Sequence, residues 1–150
     1  MKDICELRGN SEFFVVRCVK SNGGGKSWST DRFASRIRGR ERTLCCLKHR
    51  ELLDAAHSIP DNMPEGKSTI ENGLSLCKLH HAAYDSFLIG VTPDYVIQVR
   101  EDILEEEDGP VLQHGLKGLH KSTLILPSSK SHYPSREALD WRYSRFTRAG

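Results

Sequence analysis

The stretch from Cys45 to Asp85 constrains this chain more than any other, because it concentrates the residue types that bind metal ions. It holds four of the seven histidines and three of the five cysteines of the 150-residue chain. Two Cys-x-x-His segments occur in it, Cys46–His49 and Cys77–His80, roughly thirty residues apart. Each tight turn can direct a thiolate and an imidazole at one ion, so the spacing predicts a tetrahedral zinc site.

The sequence leaves open which thiol of the first segment binds the ion, because two cysteines are adjacent there. The competing interpretation treats the cysteines as small buried apolar residues and the histidines as surface residues. Two segments that bracket a candidate active site favour zinc, and thiolate and imidazole donors suit Zn²⁺ better than Mg²⁺. The candidate zinc ligands are Cys45, Cys46, His49, Cys77 and His80.

Between these segments, apolar and turn residues predict two strands joined by a loop. Residues 51–60 are strand-like and end at a proline. The pair Asn72–Gly73 predicts a tight turn that leads the chain back toward the first strand. A helical pattern covers residues 78–88 and places His81 and Asp85 on one face at i, i+4. Further along, the sequence predicts a hairpin over 88–100, a short helix over 111–119 and a strand over 122–127.

The segments AAHSIP, ENGLSLC and LHHAAYD occur in this order and resemble the HNH (ββα-metal) endonucleases, above all restriction-type HNH domains. The resemblance covers roughly residues 45–99, and LEEEDGPVLQHGLKGLH and PSREALDWRYSRF are also similar to such proteins. It implies an α+β fold with a ββα-metal core, a zinc-clasped hairpin and peripheral helices. Residues 1–30 are then a poorly defined N-terminal segment with a Gly-rich linker, and residues 31–150 an HNH domain with a C-terminal extension. The chain is expected to be too short for the separate recognition domain of longer relatives.

Carried over by position, the resemblance implies a role for each motif residue. His57 is the general base, Asn72 is a loop organiser or a metal ligand, and His81 is a metal ligand. Asp85 stands where some family members place a further ligand. The implied cofactors are a catalytic Mg²⁺ or Mn²⁺, held by His81 with Asp54, Asn72 or Asp85, and a structural Zn²⁺.

Two positions depart from the family pattern. Many HNH enzymes have Asp or His directly before the general base, where this chain has Ala56. The nearest acid is Asp54, which a regular strand projects on the same face as residue 56. The first Cys of the usual C-x-x-C is replaced by Arg42, so either His49 completes the zinc site or the site is damaged.

Charge is unevenly distributed although the net charge is only +2. Residues 17–50 carry ten Lys or Arg and two acids. A basic flank beside a metal site suits double-stranded DNA, and the equally weighted alternative is a solvated helix face. A helix is predicted over 31–40, and a second over 136–148 with Arg142, Arg145 and Arg148 exposed. The candidate DNA contacts near the first helix are Arg36, Arg38, Arg40 and Arg42.

Other features exclude several classes of function. No apolar run approaches the roughly 18 residues of a membrane span. The polar start and the odd number of cysteines predict a cytoplasmic protein with reduced thiols. The segment GGGKS is similar to part of a phosphate-binding loop, but the first glycine of that motif falls at Lys20, so the motif fails.

The sequence therefore predicts a divalent-metal-dependent DNA endonuclease of restriction or defence type, either cutting as a homodimer or making two separate nicks. One alternative is a catalytically inactive, zinc-stabilised DNA-binding module or truncated nuclease remnant. The other is a zinc-stapled interaction domain that has no role with nucleic acid.

Overall fold

The fold is built from two short antiparallel hairpins and the helices around them. The structure is a computed structural model that describes residues 44, 45, 47, 49–107 and 109–150. The predicted linker over 1–30, the helix over 31–40, the arginines 36–42 and Cys46 lie outside these residues. The helices and strands of the described part follow in the order β1 (Leu53–His57), β2 (Gly73–Cys77), α1 (Lys78–Asp85), β3 (Ile89–Val91), β4 (Ile97–Val99), α2 (Glu101–Glu105), α3 (Pro110–Gly115) and α4 (Arg136–Ala149). This mixture of small sheets and helices confirms the α+β class.

Strands β1 and β2 form the first hairpin, with Leu53 opposite Cys77 and His57 opposite Gly73. The predicted tight turn at Asn72–Gly73 is wrong. A 3₁₀ helix over Ile70–Asn72 reverses the chain instead, and Gly73 has φ −125°, which is ordinary extended backbone. An Asn-Gly hairpin turn needs positive φ at both residues, and the long connection between these strands does not require that geometry.

Helix α1 begins directly after β2 and ends three residues earlier than the sequence predicts. Phe87 has φ 54°, in the left-handed region, so the chain cannot continue as a helix there. The Leu88 N–H donates to the carbonyl of Ala83 at 2.9 Å, which closes the last turn. The chain then enters β3, and Tyr84 is fully buried beneath this corner.

The second hairpin pairs Ile89 with Val99 and Val91 with Ile97, as predicted. Helix α4 packs directly on β3: a Cβ at Gly90 would lie 2.6 Å from the ring of Phe146. Only a residue without a side chain therefore fits here. The Ser135 hydroxyl caps α4 by accepting from the Ala138 N–H at 3.3 Å.

The predicted strand over 122–127 is wrong. This segment makes a single bridge, Val96 with Thr123. Its backbone bonds nearby are limited to those of Lys121 and Ser122 with Ile97 of β4 and that of Leu124 with Tyr95. Lys121 has φ 64°, so a turn immediately precedes the bridge. Neither α4 nor any other helix in the described part of the chain has the length and apolar character needed to cross a membrane.

Candidate functional site

Helix α1 presents two adjacent histidines to different surroundings. His80 is buried, with 4% of its surface exposed, whereas the side chain of His81 is 27% exposed. Successive helical residues point about 100° apart, so neighbours on one helix can serve separate clusters. Two groups of possible metal-binding side chains result, one around each imidazole.

The first group consists of Cys45, Cys77 and His80, whose donor atoms all lie within 4.8 Å of one another. The Cys77 Sγ is 3.2 Å from His80 Nδ1. Burial raises the pKa of the Cys45 thiol, and the adjacent Cys77 adds to the rise. A thiolate at Cys45 therefore needs a neighbouring cation, and two sulfurs with one imidazole nitrogen form a donor set that suits Zn²⁺.

The opposite edge of the His80 ring fixes its orientation. His80 Nε2 is 2.6 Å from the carbonyl oxygen of Gly115 in α3. A carbonyl oxygen only accepts, so this nitrogen carries the proton and Nδ1 is left for an ion. A backbone acceptor on the far nitrogen is the usual arrangement for a metal-binding histidine.

The structure distinguishes among the predicted zinc ligands. Cys45 joins Cys77 and His80, which favours Cys45 where the sequence left both adjacent thiols open. His49 is exposed and does not belong to this group. The prediction that His49 completes the site gains no support from its position.

The second group surrounds His81, which lies between two acids. His81 Nδ1 is 3.3 Å from Asp54 Oδ2, and Nε2 is 3.3 Å from Asp85 Oδ2. Asp54 projects from β1, and Lys78 contacts its other oxygen at 3.3 Å. The carboxylate of Asp54 thus reaches the helix, while Ala56 is completely buried in the core.

The two acids meet opposite edges of one ring, so they do not converge on a single point. Of the groups that the described residues form, only the one around Cys45 brings three potential metal donors within 4.8 Å. Asp54 and Asp85 are therefore alternative partners of an ion on His81, as the sequence left them, because an ion bound to either ring nitrogen adjoins only one acid.

Charge interactions bind this cluster together. The hydrogen bond to Asp85 raises the pKa of His81 despite its burial, and Asp54 adds to the rise. Burial opposes ionisation of both acids, but His81 together with Lys78 for Asp54 and with Arg142 for Asp85 outweighs it, so the pKa of each carboxyl group is lowered. Both acids are therefore anionic at neutral pH and attract cations.

His57 closes β1 and is half-buried. Burial lowers the pKa of its imidazole; the charges of Asp61 and Asp85 oppose this effect, and that of His81 reinforces it. A pKa below the ordinary 6.5 leaves the ring neutral at pH 7 and able to accept a proton. His57 and His81 are thus close enough for the charge of one to affect the other.

Asn72 holds the loop between β1 and β2. Its Oδ1 accepts from the Ile59 N–H at 2.8 Å, and its Nδ2 donates to the carbonyls of Ile59 and Lys67 at 2.8 and 2.9 Å. The side chain is buried, so these bonds account for both ends of the amide. This geometry supports the role of Asn72 as loop organiser and does not support a role as metal ligand.

Arg142 in α4 is a site residue that the sequence analysis placed incorrectly. It was predicted to be exposed, but only 6% of its side chain is. Its Nη2 donates to the Tyr84 carbonyl at 2.8 Å and to Asp85 Oδ1 at 3.2 Å. The periodicity contained the missing signal, since Arg142 lies between Leu139 and Phe146 at spacings of three and four on the buried stripe.

The other two arginines that were predicted to be exposed on α4, Arg145 and Arg148, differ from Arg142. The Arg145 guanidinium lies 3.2 Å from the centre of the Trp141 ring and is half-buried. Arg148 is exposed, as predicted. The predicted basic face of α4 is therefore reduced to its last turn.

Comparisons with known proteins agree with this geometry. A family model described as HNH endonuclease matches residues 29–92, which include β1, β2, α1 and β3. Among solved structures, the chain is similar to a modification-dependent TagI restriction endonuclease, with a TM-score of 0.54 and 15% sequence identity. That likeness covers 76% of this chain but only 37% of the other, and at this identity it shows the fold alone. No curated protein sequence matches the chain.

Proposed function

We propose that the protein is a divalent-metal-dependent DNA endonuclease with His57 as general base, from the premise that residues 29–92 match the HNH endonuclease family model. One observation carries the proposal. Within the matched segment, an imidazole whose pKa is lowered ends β1, and an Asp54–His81 pair joins the same strand to α1. A neutral base beside a cation site is the arrangement that phosphodiester hydrolysis needs.

The edge of His81 that faces Asp54 is the better cation site. The Asp54 carboxylate is paired with Lys78, whose side chain is 59% exposed and can move into solvent. Asp85 is instead held by the buried guanidinium of Arg142, whose positive charge repels a second cation. We therefore assign Asp54 and His81 Nδ1 as ligands of Mg²⁺ or Mn²⁺, and Asp85 as the group that orients the ring from Nε2.

The chain's own residues then divide the chemistry. His57 accepts a proton from water as the water oxygen forms a bond to phosphorus and the bond to the 3′ oxygen breaks. Asn72 fixes the loop that follows the base through its bonds to Ile59. A bound divalent ion supplies charge stabilisation at the phosphate and the departing oxygen.

We propose that Cys45, Cys77 and His80 hold a structural Zn²⁺. This position links the segment before β1 to the end of β2, and the bond from His80 to Gly115 extends the link to α3. Two thiols and a buried imidazole form a donor set that suits a structural ion, which stabilises the fold.

We propose a DNA substrate and a role in defence, which the name of the similar restriction endonuclease gives for that protein, and a cytoplasmic location. We propose that the arginine-rich segment contacts the phosphate backbone, and that double-strand cleavage requires either a homodimer or two nicks. The residues proposed for the backbone contacts remain Arg36, Arg38, Arg40 and Arg42.

The first prediction concerns His57→Ala. Plasmid cleavage with Mg²⁺ or Mn²⁺ should fall by about 10²–10⁴-fold, the usual contribution of general-base catalysis, while DNA binding persists. His114→Ala is the matched control, because His114 is exposed on α3. EDTA should stop cleavage by the wild-type protein. Undiminished cutting by His57→Ala refutes the assignment of the base.

A second candidate function is an inactive DNA-binding module. The buried Ala56 favours it, because the acid that usually precedes the base is missing there. This candidate predicts a gel shift that weakens steeply with salt but no EDTA-sensitive nicking. Nicking that EDTA abolishes excludes it.

A further inference from the structure

Helix α4 lies beyond the segment that matches the HNH family model, yet one of its side chains reaches the cluster around His81. We propose that Arg142 is a positioning residue, which holds Asp85 so that Asp85 fixes the His81 ring for cation binding. The inference rests on the proposed function, because His81 must bind the divalent ion. It assigns a role in the nuclease centre to the C-terminal extension.

The contacts form a continuous relay from α4 to the imidazole. Arg142 Nη2 donates to Asp85 Oδ1 at 3.2 Å, and Asp85 Oδ2 lies 3.3 Å from His81 Nε2. The anionic carboxylate of Asp85 accepts only, so Nε2 keeps its proton, and a cation at Nδ1 takes the place of the proton that faces Asp54. Acceptors behind metal-binding histidines set the tautomer in this way, and their own bonds fix them in turn.

The guanidinium itself is held rigidly. Its second bond goes to the carbonyl of Tyr84, at the end of α1. Its carbon lies 4.6 Å from the centre of the Tyr84 ring and 4.5 Å from that of Phe87. These cation–π contacts and the planar group leave Arg142 little freedom, so the position of Asp85 is determined by α4.

The anchoring of α4 makes the relay dependent on tertiary structure. Leu139 is fully buried on the same stripe of the helix, and Phe146 packs against the backbone of β3 at Gly90. The alternative in which Arg142 contacts DNA conflicts with its burial. If Arg142 were only a structural core residue, its substitution would change stability without changing the affinity for the cation.

The test compares Arg142→Met and Arg142→Lys with Arg145→Met, a control one turn further along α4 whose guanidinium stacks on Trp141. Mn²⁺ binding is measured by calorimetry, cleavage is measured over a Mn²⁺ series, and thermal unfolding reports folding. We expect Arg142→Met to weaken Mn²⁺ binding about tenfold or more, Arg142→Lys to weaken it less, and Arg145→Met to match the wild type.

The sign of the change separates positioning from simple charge effects. Removing a positive charge near a cation site, with nothing else altered, strengthens cation binding. Weaker binding by a folded Arg142→Met protein therefore reports the loss of positioning. Unchanged or tighter binding overturns the proposal.

If Arg142→Met does not fold, Arg142→Lys decides the question, since it retains the charge and the aliphatic stem but loses the planar fork. A folded lysine variant with wild-type Mn²⁺ affinity and cleavage overturns the relay. If the wild-type protein neither binds Mn²⁺ nor cuts DNA, the proposed function fails and the relay with it. If the wild-type protein does both and the variants match it, only the relay fails.

Discussion

His80 and His81 are neighbours in sequence but belong to centres with contrasting properties. His80 is buried with two thiols and bonded to a backbone carbonyl, whereas His81 lies partly exposed between two carboxylates. The first group offers soft donors in a mostly buried position, and the second offers oxygen donors that solvent can reach. In the proposed function, one turn of α1 therefore supplies ligands for both a structural ion and a catalytic ion.

The difference between the centres follows from what each must do. A structural ion is held best where every ligand is fixed and water is excluded, so burial and sulfur donors suit it. A catalytic ion must exchange water and meet a phosphate, so partial exposure and anionic oxygens suit it. Substitutions at the two adjacent positions should therefore have effects of different kinds.

The largest expected contrast is between His80→Ala and His81→Ala. His80→Ala should remove a zinc ligand and lower the free energy of unfolding by about 4 kcal/mol or more, since loss of a structural metal is among the most damaging changes. His81→Ala should keep its unfolding free energy within about 1 kcal/mol and lose on the order of 10²-fold or more in cleavage. Thermal unfolding, zinc analysis and plasmid cleavage measure the two effects.

Each variant is the control for the other, because they lie side by side on one helix. A normally folded, zinc-containing His80→Ala protein argues against the structural site. A His81→Ala protein that cuts at the wild-type rate argues against the catalytic one. Equal losses of unfolding free energy in both variants contradict the assignment of different roles to His80 and His81.

A smaller effect is expected at Asn72, in the loop between the strands. Asn72→Ala leaves the buried N–H and carbonyl of Ile59 without their partners and removes the bond to the partly buried carbonyl of Lys67, so the unfolding free energy should fall by about 2–4 kcal/mol. Asn72→Asp keeps an acceptor for the Ile59 N–H but loses both donors and buries a charge. Denaturant unfolding of both variants measures the loss.

Two measurements distinguish a loop role of Asn72 from a role in metal binding. A loop organiser changes stability, whereas a ligand changes the Mn²⁺ concentration needed for cleavage. If folded Asn72→Ala requires much more Mn²⁺ and has wild-type stability, the loop role is incorrect.

The smallest expected effect is a difference in titration between His57 and His81 in metal-free protein. Burial lowers the pKa of His57 below 6.5, so its stability contribution is present above that pH and decreases as pH falls. The Asp85 bond raises the pKa of His81, so its contribution is complete below 6.5 and decreases as pH rises through the folded-state pKa. Nuclear magnetic resonance of the two imidazole rings measures which of them titrates at the lower pH.

The same shifts predict that the acid limb of the cleavage rate lies below pH 6.5, because His57 must be neutral to act as a base. Asp85→Asn should bring the titration of His81 back toward the ordinary range. A His57 ring that titrates above His81 contradicts this assignment.

Much of the site was accessible from sequence because its motif residues are local to their elements. The strand, loop and helix that carry His57, Asn72 and His81 were each predicted, and their order matched the HNH family. The Asn72–Gly73 turn was misplaced because the dipeptide is compatible with more than one backbone geometry. The strand over 122–127 was wrong because its pairing is limited to one isolated bridge, between Thr123 and Val96.

The sequence by itself determined the donor types, their spacing along the chain and the resemblance of residues 45–99 to HNH endonucleases, and the family model matches residues 29–92. Only the tertiary structure decided that Asp54 and Asp85 contact opposite edges of His81, and that Arg142 is buried against an acid 57 positions earlier. Periodicity fixes which face of a helix a residue occupies. What covers that face depends on how distant segments pack, and here the packing of α4 on β3 and α1 places a charged group in the core.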